Sequence, residues 1–225
     1  MEREKIKKQT ISALILGMLG CILMGGSDWL MIYGDTAFEG NLAWLTRGVA
    51  AIPAWRNALA LALAFPAVLL YSAALFGIRR FIPPDKQRCT YTGLTAIGLL
   101  PWLSLHLFYV MILYLFQWMT AQGQTTLGLA AGEALVAQFA WIIPVSEVLM
   151  LLPFIYTFIL TIRHKTIFPA AMAVNNPLLI YIVLKLFTMV VPDAPWRLAF
   201  TNGLMSESML LWFLVFLIYT LKKKD

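Results

Sequence analysis

Six long apolar stretches are the feature that most constrains how this chain can fold. Each is close to or above the roughly 20 residues that an α-helix needs to cross the hydrocarbon core of a bilayer. The stretches run near residues 11–32, 57–78, 91–119, 134–162, 167–191 and 204–221. Helices are favoured because open strands leave backbone groups unpaired in lipid, and because these stretches show no alternation of polar and apolar residues. We therefore predict an all-α integral membrane protein, a bundle of six transmembrane helices.

The composition supports a membrane protein and excludes several other classes. Of the 225 residues, 61% are hydrophobic and 12% are charged, whereas a soluble domain is nearer half apolar and a quarter charged. The mean hydropathy is +0.79. These values exclude a disordered chain, a nucleic-acid-binding protein and a disulfide-rich secreted scaffold. We expect a single transmembrane domain that covers residues 1–225.

The basic residues are unevenly placed around these stretches. Thirteen of the 17 Lys and Arg residues lie before the first stretch, or follow the second, fourth or sixth. Arg47, Arg56 and Arg197 lie on the opposite side, and Lys185 lies within a stretch. Loops rich in Lys and Arg stay in the cytoplasm. The pattern predicts cytoplasmic termini in a multi-pass protein of a cell membrane, which we expect to be the bacterial cytoplasmic membrane.

Ionisable residues inside the apolar stretches are the main candidates for function, because a charge at the bilayer centre costs at least ~2.5 kcal/mol. Their heights follow from the nearest cytoplasmic basic residue at about 1.5 Å per helical residue. On this scale His106, Glu147, Lys185 and Asp28 lie at similar heights in the outer half of the membrane. Glu207 lies at or just above that level. We predict a polar cluster or cavity that opens to the outer side and is walled by several helices.

Helical spacing adds two tyrosines and two asparagines to this group. The tyrosines lie three or four residues from His106 and Lys185, and so share their helix faces. The asparagines directly precede a proline, where an interrupted helix exposes carbonyl groups, as at some transport sites. The complete set of candidate ligand-binding residues is Glu147, His106, Lys185, Asp28, Tyr109, Tyr181, Asn175, Asn176 and Glu207.

Each ionisable candidate also has a purely structural interpretation. In this alternative Glu147 pairs with Lys185 or His106, and the long stem of Lys185 reaches the outer headgroups. Asp28 marks the end of the first helix at the interface. Glu207 lies in the first turn of the sixth span, where a carboxylate is stabilised by the helix dipole.

No motif selects an enzymatic chemistry. The sequence lacks a phosphate-binding loop, a dinucleotide-binding glycine motif and a nucleophile elbow. Of its two histidines, His164 lies at the cytoplasmic edge beside Arg163, which leaves His106 alone within the apolar stretches and excludes both a haem with two axial histidines inside the membrane and a clustered metal site. We therefore expect no metal and no cofactor.

Three functions remain open. The first is binding or transport of a small polar molecule, an ion or a lipid headgroup by Glu147, His106 and Lys185, and a carrier this small would work as a homodimer. The second is an enzyme embedded in the membrane that acts on a lipid or isoprenoid, with Glu147 and His106 as general acid and base. The third is an accessory protein whose internal charges pair. In all three the lipid bilayer surrounds the chain.

Overall fold

The computed structural model describes residues 2–34, 45 and 47–222. Within these ranges every regular element is helical. The α-helices are α1 (Glu2–Ile32), α2 (Arg47–Ala50), α3 (Ala54–Ile78), α4 (Lys86–Ala121), α5 (Thr125–Phe139), α6 (Ile142–Ile162), α7 (Pro177–Val190) and α8 (Pro195–Lys222), with short 3-10 helices at Arg79–Phe81 and Ala170–Asn175. Among them α1, α3, α4, α6 and α8 are long and apolar enough to cross a membrane. The chain is therefore a helical membrane protein.

The first three predicted stretches lie inside long helices. Residues 11–32, 57–78 and 91–119 fall within α1, α3 and α4, and each helix extends beyond its stretch at one or both ends. Asp85 fixes the start of α4, because its carboxylate accepts hydrogen bonds from two backbone N–H groups of the first turn.

The fourth predicted stretch is wrong in its extent. A turn at Ala140 and Trp141 divides residues 134–162 into the end of α5 and the whole of α6. Pro144 explains the break, because proline has no N–H to donate to the carbonyl group four residues earlier, that of Ala140. The helix that can cross the membrane is therefore α6, and α5 begins earlier, at Thr125.

The fifth predicted stretch is also interrupted. Within residues 167–191 only α7, 14 residues long, is α-helical, and it is shorter than the five candidate spans. Asn176 fixes its start, because the side-chain oxygen accepts from the Leu178 N–H (3.1 Å) and the side-chain amide donates to the Phe154 carbonyl of α6 (3.0 Å). Pro177 suits the first helical position, where no N–H is needed. In place of six long spans there are five long helices and one short one.

Replacing Asn176 with alanine is expected to reduce the free energy of unfolding by about 1–2 kcal/mol, because a helix cap and a buried hydrogen bond to α6 are both lost. Chemical denaturation of the purified protein in detergent measures this difference. Asn175→Ala is the matched control, since the half-buried Asn175 side chain makes no hydrogen bond within the described ranges. Equal losses in the two variants would contradict the structural role given to Asn176.

The sixth predicted stretch begins too late. Residues 204–221 form the second part of α8, a 28-residue helix that starts at Pro195. Proline is favoured at the first position of a helix, so the polar residues that follow it are helical as well. Arg197 donates to the Val191 carbonyl oxygen (3.2 Å) and lies 3.5 Å from the Asp193 carboxylate. These contacts fix the start of α8 beside the end of α7.

Close contacts join the helices in a chain of neighbours. α1 packs against α3 and α8, α4 packs against α3, α5 and α6, and α7 packs mainly against α8. A Cβ atom on Gly20 would lie 2.6 Å from the Tyr71 backbone nitrogen and 2.7 Å from the Ala67 carbonyl oxygen. Gly17 faces the Ala74 side chain just as closely. Small residues thus let α1 and α3 touch backbone to backbone.

The ends of several helices meet at one end of the bundle. The Ile167 N–H, after α6, donates to the Phe81 carbonyl after α3 (3.0 Å), and the Tyr219 hydroxyl of α8 donates to the Ile167 carbonyl (3.2 Å). Arg80 donates to the Gln9 side chain near the start of α1 (3.3 Å). At this end of the bundle α1 and α4 therefore begin, whereas α3, α6 and α8 end there.

Candidate functional site

Ser27 of α1 lies at the centre of a buried polar group. Its hydroxyl donates a hydrogen bond to the Ala60 carbonyl oxygen of α3 (2.7 Å), and its oxygen lies 2.8 Å from Nε2 of His106 in α4. Both side chains are buried. Because the hydroxyl has one proton and gives it to Ala60, Nε2 is the donor in the contact with His106. These two hydrogen bonds join three helices.

Asp28 completes this group. Its Oδ1 atom lies 3.5 Å from Nδ1 of His106, and 15% of its side chain is exposed. Since Nε2 already carries a proton, the contact is attractive when a second proton lies on Nδ1 or on Oδ1. Asp28 does not end the first helix, because α1 continues to Ile32. We call Ser27, Asp28 and His106 the polar centre, which brings together two of the predicted candidates.

A cleft between α1 and α8 lies beside the polar centre. It has a volume of about 340 Å³ and is lined by Cys21, Ile22, Gly25, Gly26, Trp29, Phe200, Glu207 and Leu210. A Cβ atom on Gly26 would have no neighbouring atom within 4 Å, so the glycine leaves space open. Ile22 is 55% exposed, which places one wall of the cleft at the surface of the bundle. We call this space the α1–α8 cleft.

Glu207 supplies the carboxylate of the α1–α8 cleft. Its Oε2 atom is buried and has no hydrogen-bond partner within the described ranges. The Trp29 side chain lies within hydrogen-bonding range of the carboxylate, and Asp28 lies within electrostatic range. The explanation of Glu207 as a helix-terminus residue is wrong. α8 begins at Pro195, about three turns earlier, and the effect of the helix dipole fades within the first turn.

Glu147 lies apart from the polar centre. It is exposed on α6, and Tyr109 of α4 and Tyr181 of α7 lie within electrostatic range of it. Lys185 is exposed on α7. Among the described residues no ion pair joins Glu147 to Lys185 or His106, so the predicted structural pairings do not form. The candidate residues therefore form two separate polar groups instead of the single predicted cluster.

The two asparagines differ in their surroundings. Asn176 is buried, and its side chain is fully used in capping α7 and in bonding to α6. Asn175 is half-buried at the end of the second 3-10 helix. The helix interruption predicted from Asn-Asn-Pro is confirmed, whereas ligand binding by these residues stays a prediction.

Other buried polar groups were missed from the sequence. Tyr71, fully buried in α3, has a hydroxyl without a hydrogen-bond partner in the described structure, and it lies within electrostatic range of Asp28. The Asn57 amide of α3 donates to the Gln117 side-chain oxygen of α4, and Asn57 Oδ1 and Gln117 Nε2 have no partner within the described part of the chain. Ser27 had a signal in the sequence, because it directly precedes Asp28. Tyr71 had none, since it lies in an apolar run where Ser72 is the adjacent polar residue and no ionisable residue is near.

Metal binding finds no support in the arrangement of these side chains. In the part of the chain that the structure describes, no three His, Cys, Asp or Glu side chains are grouped so as to hold a metal ion. The polar centre is joined by the hydrogen bonds of Ser27 and by the 3.5 Å contact between Asp28 and His106.

Comparison with known families gives a relationship over nearly the whole chain. Residues 1–223 match DUF6796, a family of unknown function. The chain belongs to this family. The match includes every long helix, so the polar centre and the α1–α8 cleft of this DUF6796 member both lie inside the matched region. Searches of curated proteins and of solved structures gave no match.

Proposed function

We propose that this DUF6796 protein binds a small amphipathic molecule within the membrane, in the α1–α8 cleft, and that the Glu207 carboxylate receives its polar head. The observation that carries the proposal is the Glu207 Oε2 atom, which is buried without a hydrogen-bond partner among the described residues, at a cleft of about 340 Å³. An unpartnered buried acceptor costs about 1–3 kcal/mol, which a donor on a bound molecule recovers. The head of the ligand therefore donates hydrogen bonds and carries positive charge, as an alkylammonium does.

The lining of the cleft supports this class of ligand. Apart from the carboxylate, the walls include the apolar side chains of Ile22, Phe200 and Leu210. The volume lies at the lower end of the range of about 300–1,000 Å³ that is usual for small-molecule sites. Trp29 adds an aromatic ring, whose face attracts a cation. A short alkyl chain with a cationic head satisfies all of these features.

We also assign the α1–α8 cleft a position in the membrane. From the distribution of Lys and Arg we infer cytoplasmic termini, and we assign a sixth crossing to α7 together with the 3-10 segment that precedes it. The α1–α8 cleft then lies in the outer half of the bilayer, at the height estimated for Asp28. A bacterial cytoplasmic membrane and a homodimer are parts of the same proposal.

The other interpretations have less support. A membrane enzyme that uses Glu147 and His106 as acid and base would need them together, and they belong to separate polar groups. An accessory role for Glu207 as an internal ion-pair partner would need a basic side chain beside it, and the described residues provide no such ion pair. A second candidate position for a cation is Glu147 itself, with Tyr109 and Tyr181 in electrostatic range.

Three probes that share one alkyl chain test the proposal. Hexylammonium, hexanol and hexanoate are titrated by calorimetry into the protein in nanodiscs of zwitterionic lipid. We expect hexylammonium to bind most tightly to the wild type. Glu207→Gln is expected to weaken its binding by about tenfold or more, because the charge-assisted hydrogen bond to the carboxylate is lost.

Glu147→Gln is the matched control, since it makes the same chemical change at an exposed carboxylate on another helix. We expect it to leave the Kd for hexylammonium within about twofold of the wild-type value. Equal affinity for the three probes, or a loss confined to Glu147→Gln, would overturn the assignment of the site to Glu207. Thermal melts of each variant establish that the proteins compared are folded.

A further inference from the structure

The contacts of the polar centre favour a neutral Asp28–His106 pair. Nε2 of His106 donates to Ser27, and the 3.5 Å contact between Nδ1 and the Asp28 carboxylate is attractive when a second proton lies on either atom. With both protons the Asp28–His106 pair has no net charge. Loss of one would leave a carboxylate facing an imidazole lone pair inside an apolar bundle, which is unfavourable. Both contacts of His106 are therefore attractive in the neutral pair.

Among the described residues no basic side chain forms an ion pair with Glu207. The groups that face it or the Asp28–His106 pair from the surrounding helices are Cys21, Asp28 and Trp29 of α1, Tyr71 of α3 and His106 of α4. None of them carries a net positive charge while the pair is neutral. Arg56 of α3 donates instead to two carbonyl oxygens at the carboxyl end of α1. Burial without a counter-ion disfavours a charged carboxylate, so the protonated form of Glu207 is favoured while the cleft is empty.

We propose that the α1–α8 cleft is a cation–proton exchange site. A monovalent organic cation that enters it displaces one proton from the Glu207 carboxyl group, while the Asp28–His106 pair keeps its own. The O–H bond of Glu207 breaks, the proton passes to water, and the carboxylate pairs with the cation. The site is neutral before and after the exchange, so no uncompensated charge is left in the apolar bundle. This inference rests on the proposed function.

Proton counting during binding tests the exchange. Hexylammonium is titrated into the protein in nanodiscs at several values between about pH 5 and pH 9, in buffers of different ionisation enthalpy. The probe stays charged over this range, because an alkylammonium titrates near pH 10.4, as lysine does. Where Glu207 is protonated, we expect about one proton released per hexylammonium bound and a Kd that weakens about tenfold for each unit decrease in pH. Hexanol should release none.

An Asp28→Asn variant identifies the source of the proton. The asparagine amide can donate to Nδ1 of His106, so the pair stays neutral and the released proton still comes from Glu207. We therefore expect the same count in this variant. A count of zero in Asp28→Asn, or wild-type binding with a Kd that does not change with pH, would overturn the exchange while leaving the binding site in place. Failure of the wild type to bind hexylammonium at all would overturn the proposed function and the exchange together.

Discussion

Replacing Gly20 with alanine is expected to lower the free energy of unfolding by about 3 kcal/mol, near the upper end of the usual cost of overpacking a core. The added Cβ atom would lie 2.6 Å from the Tyr71 nitrogen and 2.7 Å from the Ala67 carbonyl oxygen. Both are backbone atoms of α3, so no side chain can rotate away to relieve the contact. Instead α1 and α3 must separate, which loosens the closest helix pair of the bundle. Denaturation in detergent, followed by circular dichroism, measures the change.

Gly93→Ala is the control for this substitution. Gly93 is exposed in α4, and a Cβ atom there would have no neighbour within 4 Å. We expect its free energy of unfolding to equal that of the wild type or to exceed it by up to about 1 kcal/mol, because alanine is favoured over glycine inside a helix. If Gly20→Ala were as stable as Gly93→Ala, the close approach of α1 and α3 in the structure would be incorrect.

Replacing His106 with leucine is expected to cost about 3 kcal/mol, because it leaves the buried Asp28 carboxylate without its partner and removes the donor to Ser27. Asp28→Leu alone should cost less, since the remaining imidazole keeps its hydrogen bond to Ser27. The double variant should lose less stability than the sum of the two single losses, because neither Asp28 nor His106 is left without its partner.

This double-mutant cycle measures the coupling between Asp28 and His106. A coupling of about 1 kcal/mol or more between the two substitutions is the expected result, as for side chains in one hydrogen-bonded group. The free energies of unfolding come from the same detergent denaturation, with ligand-free protein at one pH. Strict additivity would show that the 3.5 Å contact contributes nothing to stability.

Part of this site could be predicted from the sequence and part could not. Chain distance from the basic residues placed Asp28 and His106 at similar heights, and the structure joins them. The same estimate placed Glu147 and Lys185 at that height, yet both are exposed on other helices. Height depends only on counting residues, whereas the direction of a side chain depends on how each helix is rotated against its neighbours. An isolated ionisable residue in an apolar helix carries little information on that rotation.

The helix boundaries, too, could be predicted from the sequence only in part. Hydropathy located every long helix, because burial in lipid requires a long apolar run. It failed where single residues decide hydrogen bonding: Pro144 separates α5 from α6, and Asn176 starts α7. It also placed the start of α8 too late, because the polar residues after Pro195 resemble a loop in composition. The role of Glu207 was misjudged for this reason.

The cleft could not have been located from the sequence. In the sequence, Gly25 and Gly26 are compatible with a helix end or with close helix packing. It is the position of α8 that encloses the space beside them and makes it a cleft. Among the described residues Glu207 Oε2 has no hydrogen-bond partner, although Glu207 lines the cleft together with residues of α1. Absence of a partner is a property of the whole neighbourhood, so no pattern within one helix predicts it.

The length of α4 has a consequence for how the protein sits in lipid. From Arg88 near its start to the exposed Trp118 near its end, the helix rises about 45 Å. A bilayer with its headgroup layers is about 40–45 Å thick, and its hydrocarbon core about 30 Å. Arg88 and Trp118 can therefore occupy the two headgroup layers when α4 stands close to the bilayer normal. A thinner bilayer would force a larger tilt, and because α4 carries His106, that tilt would act directly on the contacts of the polar centre.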